Sequence, residues 1–193
     1  MIWPFEKYER FLEELESIFA DMDAAYEKVA AQYGFHCSGC EDNCCLTRFY
    51  HHTWLEYLYL QHGFSELAPE KQDLLKIQAE TVIMEMASAE RENQLIRVMC
   101  PLNENGLCIL YKFRPMICRL HGIAHELHPP GRKAVYSPGC DAFTKQTAGK
   151  DYICFDRTRF YSEMASLESG LKQHIGIRNK IRMTVAEMIK DFS

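Results

Sequence analysis

The sequence lacks long hydrophobic runs and the motifs of common enzyme classes. No apolar stretch approaches the roughly 20 residues that cross a bilayer, and the first residues do not resemble a secretory signal. The phosphate loop, the dinucleotide fingerprint, the Gly-x-Ser-x-Gly elbow and the Cys-x3-Cys-x2-Cys spacing of radical-SAM enzymes do not occur. We therefore expect a cytoplasmic protein without membrane spans, and no motif predicts an enzyme.

Basic residues are also too few for a nucleic-acid-binding surface. The chain has 22 Lys and Arg against 27 Asp and Glu, a formal net charge of −5. Phosphate binding needs a clustered basic surface, so no nucleic acid partner is predicted. Several basic residues lie near cysteines in the sequence, where they would balance the negative charge of buried thiolates: Arg48, Arg114, Arg119, Arg132 and Lys133.

Cysteine, by contrast, is abundant and closely spaced. Cys37, Cys40, Cys44 and Cys45 fall within nine residues, and Cys100, Cys108, Cys118, Cys140 and Cys154 follow. A Cys-x2-Cys turn directs two thiolates to one point, as zinc and iron–sulfur clusters require. An odd total of nine does not suit a closed disulfide framework, and a reducing cytoplasm keeps thiols available as ligands.

The rest of the chain has mainly helical periodicity. With 193 residues, 47% hydrophobic and 25% charged, it suits a single domain, 1–193. Apolar residues recur at steps of three and four over 4–33 and again over 69–97, which predicts two long helices packed together. Helices are also predicted within 155–193, over 157–172 and 178–192. A coiled coil through 4–33 is the alternative, so either a monomer or a homodimer is consistent with the pattern.

The region 35–140 alternates turns with short elements around the insertion 69–97. Thr53 begins a capping box that opens a helix ending near Gly63. Asn103 to Gly106 predicts a tight turn, Arg114-Pro115 predicts a helical turn that carries Cys118, and 133–136 predicts a short strand. The expected fold is mainly α, with long helices around an irregular cysteine-rich metal-binding centre and at most a short β-hairpin.

The histidines and the last cysteine carry weaker signals for metal binding than the other cysteines. His121 is a candidate ligand, although the Pro-Pro-Gly sequence after His128 argues against a zinc-binding helix. His51 and His52 are interpreted as surface residues. Cys154 lies in an apolar, strand-like context and is interpreted as a buried free thiol.

The cysteine pattern resembles the CxxCxxCC, or YkgJ-like, family of zinc- or iron-chelating proteins. The matching motifs are the Cys37, Cys40, Cys44, Cys45 cluster, then Cys100-Pro-Leu, then Cys108-x-x-Tyr-x-x-Arg-Pro-x-x-Cys118-Arg, then Cys140. The family pattern has two residues between its second and third cysteines, and this chain has three. The resemblance covers roughly 37–140 and implies that these eight cysteines are metal ligands. Some relatives carry the pattern within a flagellin lysine N-methylase that is associated with an iron–sulfur cluster.

The sequence therefore predicts a metal-binding protein with a role in metal handling, sensing or redox. Eight cysteines could form one site or two, holding Zn²⁺ or an iron–sulfur cluster such as 4Fe-4S, and cysteine count does not distinguish these. Two alternatives stay open. One is an iron–sulfur enzyme or an accessory factor for protein modification. The other is an interaction protein that binds a protein partner through its helical faces and uses the metal only for structure.

Overall fold

The computed structural model describes residues 4–36 and 44–192, and these are mainly helical. The helices are α1 (Glu9–Tyr33), α2 (Trp54–Ser65), α3 (Pro69–Arg91), α4 (Met116–Leu120), α5 (Asp141–Gln146), α6 (Thr158–Ile175) and α7 (Val185–Asp191). The strands are β1 (Asn103–Glu104), β2 (Leu107–Cys108), β3 (His125–Leu127) and β4 (Val135–Ser137). Among the helices in these two ranges, none is long and apolar enough to cross a membrane.

Helix α1 packs with its apolar stripe against α6, α4 and α2. It begins at Glu9 rather than at Pro4, because a 3-10 turn over Phe5–Lys7 comes first. It ends at Gly34, whose φ of 61° is left-handed and favours glycine at a helix C-terminus. The prediction that α1 pairs with α3 was wrong: the main packing partner of α3 is α7.

Helix α2 lies in the core and is buried on almost all sides. The Thr53 hydroxyl accepts a hydrogen bond from the Glu56 backbone N–H at 3.2 Å, which caps the helix as predicted, while the Glu56 carboxylate accepts the Thr53 hydroxyl and not the backbone N–H of a capping box. The Glu168 carboxylate on α6 accepts two further bonds, each 3.1 Å, from the Trp54 and Leu55 backbone N–H groups. These contacts satisfy amides of the first turn that have no partner within the helix. The helix continues to Ser65, two residues past Gly63.

Two predicted helices are shorter than their periodic patterns suggested. Helix α3 stops at Arg91, and residues 92–97 leave the helix through Asn93, whose φ is 54°. A helix was predicted over 178–192, but α7 covers only its second half, starting from a capping box of Thr184 and Glu187. The preceding segment instead forms a β-bridge between Met183 and His51, with backbone bonds of 2.8 and 3.1 Å.

The strands form two small antiparallel hairpins, one more than predicted. β1 pairs with β2 across the predicted turn, where Asn103 lies opposite Cys108. β3 pairs with β4, so the strand expected at 133–136 is found at Val135–Ser137. The Glu126 backbone also exchanges hydrogen bonds with Phe155 and Arg157, each 3.0 Å, which ties the second hairpin to the start of α6.

The half-buried imidazole of His125 on β3 makes stability sensitive to acid. Burial is the main reason that its pKa falls from 6.5 to about 4, and the nearby charge of Arg157 adds to the shift. Between these two pH values the unfolded chain binds a proton that the native chain does not. We expect this group to lower the free energy of unfolding by about 1–2 kcal/mol as pH falls from 6.5 to 4, allowing for its partial exposure.

Urea unfolding of the wild type and His125→Gln at a series of pH values measures this contribution. The variant should lose less stability than the wild type across the window, whereas His52→Gln, which alters an exposed histidine, should follow the wild type. Parallel curves for the wild type and His125→Gln would contradict the prediction.

Candidate metal centre

Distant parts of the chain bring five cysteines together around one apolar cavity. The cavity measures about 50 Å³, and Val82, Met86 and Val185 of α3 and α7 form part of its wall. The cysteines that line it are Cys44, Cys45, Cys100, Cys108 and Cys118. All but Cys100 also line a second, more polar cavity of about 230 Å³ beside α1. The cysteines therefore separate an apolar space from a polar one.

Four separate local structures hold the five cysteines. Cys44 and Cys45 lie on a 3-10 turn, Cys44–Leu46. The Cys100 backbone N–H donates to the Cys45 carbonyl oxygen at 2.8 Å, which joins the loop before β1 to that turn. Cys108 lies on β2 and Cys118 on α4, so the tight turn and the Arg114-Pro115 helix start place these two as the sequence predicted.

Glu56 anchors the helix that carries Cys118. Its Oε1 accepts the Met116 backbone N–H at 3.1 Å, and its Oε2 accepts the Thr53 hydroxyl at 2.6 Å. His51 Nδ1 lies 3.6 Å from the same Oε1. Burial alone raises the pKa of the Glu56 carboxyl, but the nearby His51 imidazole and the hydrogen bonds from Thr53 and Met116 outweigh it, so its pKa is lowered. Glu56 is therefore a buried carboxylate with several partners.

Among four of the thiols, the negative charge of one member of each pair raises the pKa of the other. Electrostatic coupling links every pair among Cys45, Cys100, Cys108 and Cys118. Burial raises the pKa of Cys100 to about 12 and that of Cys108 to about 11, and it raises the pKa of Cys118 as well. A hydrogen bond from Cys44 lowers the pKa of Cys45. A soft cation in this space would release the protons of the other thiols.

Of the basic residues predicted to balance the charge of the thiolates, Arg114 is the best placed. It lines both cavities, lowers the pKa of Cys45 and Cys108, and stacks on the Tyr111 ring at 3.5 Å. Arg119 instead bonds Asp23 at 2.6 Å and two backbone carbonyls. Arg48 lines the apolar cavity and pairs with Glu90 at 3.4 Å. Arg132 and Lys133 line neither cavity.

The other predicted ligands are placed differently. Cys37 and Cys40 lie outside the described residues. Cys140 lines neither cavity, and its sulfur accepts the Phe143 backbone N–H at 3.4 Å as the N-cap of α5. Its role as a ligand stays a prediction. Cys154 is a free thiol as expected, but its predicted burial was wrong: it is exposed, and its thiol donates to Glu126 Oε1 at 2.6 Å.

Of the three histidines considered in the sequence, only His51 departs from its expected place. His121 lines the polar cavity beside four of the cysteines, and its ring contacts Phe49 edge-on at 5.3 Å. His51 is 2% exposed and lines the apolar cavity, so its interpretation as a surface residue was wrong. His52, the next residue, is exposed as expected. The one feature of the sequence that could have indicated a buried His51 is the carboxylate of Glu56, five residues later and beyond the Thr53 cap.

Within residues 4–36 and 44–192, no three His, Cys, Asp or Glu side chains are already arranged around a single metal ion. The donor set nevertheless suits a soft metal or a cluster, because it consists of converging half-buried thiols with a guanidinium beside them. No protein-family model, curated protein or solved structure matches the chain.

Proposed function

We propose that this protein binds zinc or an iron–sulfur cluster through its central cysteines, as the resemblance to the CxxCxxCC family implies. The observation that carries the proposal is the convergence of five thiols from separate segments on one cavity. Structural cysteines that only fill a core have no reason to gather in one place. Thiolates that share a metal must do so.

Cys45, Cys100, Cys108 and Cys118 are the strongest ligand candidates within the described residues. Each is electrostatically coupled to the other three, whereas Cys44 is coupled to Cys45 and Cys118. The sequence pattern keeps Cys37, Cys40 and Cys44 in the proposed set of ligands. They would bind at the same site or at a second one. Cys140 stays in the set on the resemblance alone.

The surroundings would stabilise such a site and shield its apolar side from water. Side chains of α3 and α7 close the apolar side, and the Arg114 guanidinium offsets part of the thiolate charge. Bound zinc would supply a rigid cross-link, and a bound cluster would supply an electron carrier. We therefore propose a role in metal handling, sensing or redox.

Anaerobic purification followed by metal, acid-labile sulfide and visible-spectrum analysis tests the proposal directly. Iron with sulfide, and colour that bleaches with dithionite, would identify an iron–sulfur centre. Zinc in stoichiometric amount without colour would identify a zinc site. Protein that carries neither metal, and that cannot be loaded with either one under reducing conditions, would refute the proposal.

An enzyme is the second candidate, because a polar cavity adjoins the cysteines on the side of α1. Tyr26, Glu27 and His121 line it together with four of the cysteines. A reaction at the centre would need such a space for its substrate. Binding of a small molecule by the metal-loaded protein that changes the metal spectrum would favour this candidate over a purely structural or carrier role.

A further inference from the structure

His51 is fixed in position by its backbone on one side and by Glu56 on the other. Its backbone N–H donates to the Met183 carbonyl oxygen at 2.8 Å, and its own carbonyl accepts from Met183 N–H at 3.1 Å. Its side chain is 1% exposed, and Nδ1 faces Glu56 Oε1 at 3.6 Å. The backbone of His51 is therefore held in place, and its ring is enclosed by neighbouring side chains.

The carboxylate favours a proton on the ring nitrogen that faces it. Buried Nδ1 has no hydrogen-bond partner among the described residues and lies 3.6 Å from Glu56 Oε1, beyond hydrogen-bond distance, but an ionised carboxylate attracts a hydrogen on that nitrogen and repels a lone pair there. In the neutral ring the lone pair is then on Nε2, on the other side of the imidazole from Glu56. Metal-binding histidines in proteins commonly show this arrangement, with the nitrogen that does not bind metal directed at a carboxylate.

The cavity next to the ring contains the thiols. His51 lines the same small apolar cavity as the five converging cysteines. Glu56 also accepts the backbone N–H of Met116, two residues before Cys118, so one carboxylate fixes both the imidazole and the helix that carries a thiol.

We propose that His51 is a nitrogen ligand of the metal at the cysteine centre, bound through Nε2, and that Glu56 is its positioning residue. This inference rests on the proposed function and adds a ligand that the cysteine pattern does not contain. One neutral imidazole in place of a thiolate makes the site one charge less negative. Such mixed sulfur and nitrogen sites are common for zinc and occur for iron–sulfur clusters.

Cobalt(II) is a suitable probe, because its absorption reports both the number of thiolates and the geometry around the ion. Reduced, metal-free protein is titrated anaerobically with Co²⁺. His51→Ala should weaken Co²⁺ binding at least tenfold and shift the visible bands. Glu56→Gln should weaken binding about 10- to 100-fold with smaller spectral change, because it disturbs the orientation of the ring and leaves the ligand in place.

His52→Ala is the matched control, since it removes the neighbouring exposed imidazole and should leave affinity and bands unchanged. Pulsed EPR on Co²⁺-loaded wild-type protein with ¹⁵N-labelled histidine shows without any variant whether a histidine nitrogen binds the ion, and His51→Ala then shows which one. Hyperfine coupling to a histidine nitrogen that disappears in His51→Ala would support the inference. No such coupling in the wild type, or unchanged coupling in His51→Ala, would overturn it.

The two proposals fail in different ways. If wild-type protein binds no Co²⁺ through thiolates, the proposed function falls and this inference falls with it. If the wild type binds Co²⁺ with a thiolate spectrum that His51→Ala reproduces at equal affinity, only the role of His51 is refuted.

Discussion

Cys118→Ser is expected to lower the metal content of the purified protein at least tenfold. Cys118 lies on α4, lines both cavities and is coupled to Cys45, Cys100 and Cys108. Serine is nearly isosteric, but its hydroxyl does not replace a thiolate as a ligand of a soft metal. Because metal binding contributes to the free energy of folding, we also expect a lower thermal midpoint in the metal-loaded preparation.

Cys154→Ser is the matched control for this experiment. It makes the same chemical change at an exposed cysteine whose thiol contacts Glu126 and which lines neither cysteine cavity. We expect full metal content and an unchanged midpoint. Equal metal content in both variants would contradict the prediction. Cys140→Ser, measured in the same series, tests whether the cysteine that caps α5 belongs to the ligand set.

The general character of the fold could be predicted from the sequence because local signals determined it. The stripe of α1 and its terminal Gly34, the Thr53 cap and the turn before Gly106 all act within a few residues. The lengths of α3 and α7 could not be predicted in this way. The periodic pattern continues past Arg91, but there the chain turns through Asn93 and runs to Cys100, which bonds the turn that holds Cys45.

The cysteine centre could be predicted in part for a similar reason. The turns that present Cys108 and Cys118 are local, and the structure brings both to one cavity. The burial of His51 depends on a backbone bridge to Met183, a residue more than a hundred positions away, which no local pattern encodes. The exposure of Cys154 likewise depends on how the chain joins the second hairpin. Its apolar neighbours predicted burial, and Ile153 is indeed half-buried and Phe155 buried, but the cysteine between them is exposed.

Gly139→Ala is expected to be among the most destabilising single substitutions in this chain. A Cβ at this position would lie 2.4 Å from the Gly122 carbonyl oxygen and 2.9 Å from the Ala124 nitrogen. Both are backbone atoms, so neither can move aside alone. The same Gly122 oxygen accepts the Cys140 backbone N–H at 2.7 Å, and separating the two segments would break that bond.

The φ of Gly139 is +89°, which adds the cost of a left-handed conformation for alanine, about 1–2 kcal/mol. Together with the clash and the lost hydrogen bond we expect a loss of about 3 kcal/mol or more, and a fall in the thermal midpoint of about 6–12 °C. Urea and thermal unfolding followed by far-UV circular dichroism measure both quantities.

Gly149→Ala separates the steric part of this loss in unfolding free energy from the part that is due to the left-handed backbone. Its φ is +79°, close to that of Gly139, but no atom lies within 4 Å of the Cβ it would carry. We expect it to lose only the conformational part, about 1–2 kcal/mol. If the two variants lose the same free energy, the backbone contact between Gly139 and Gly122 is looser than the geometry indicates. If Gly139→Ala loses at least 1–2 kcal/mol more, that contact holds the start of α5 against the segment that follows α4.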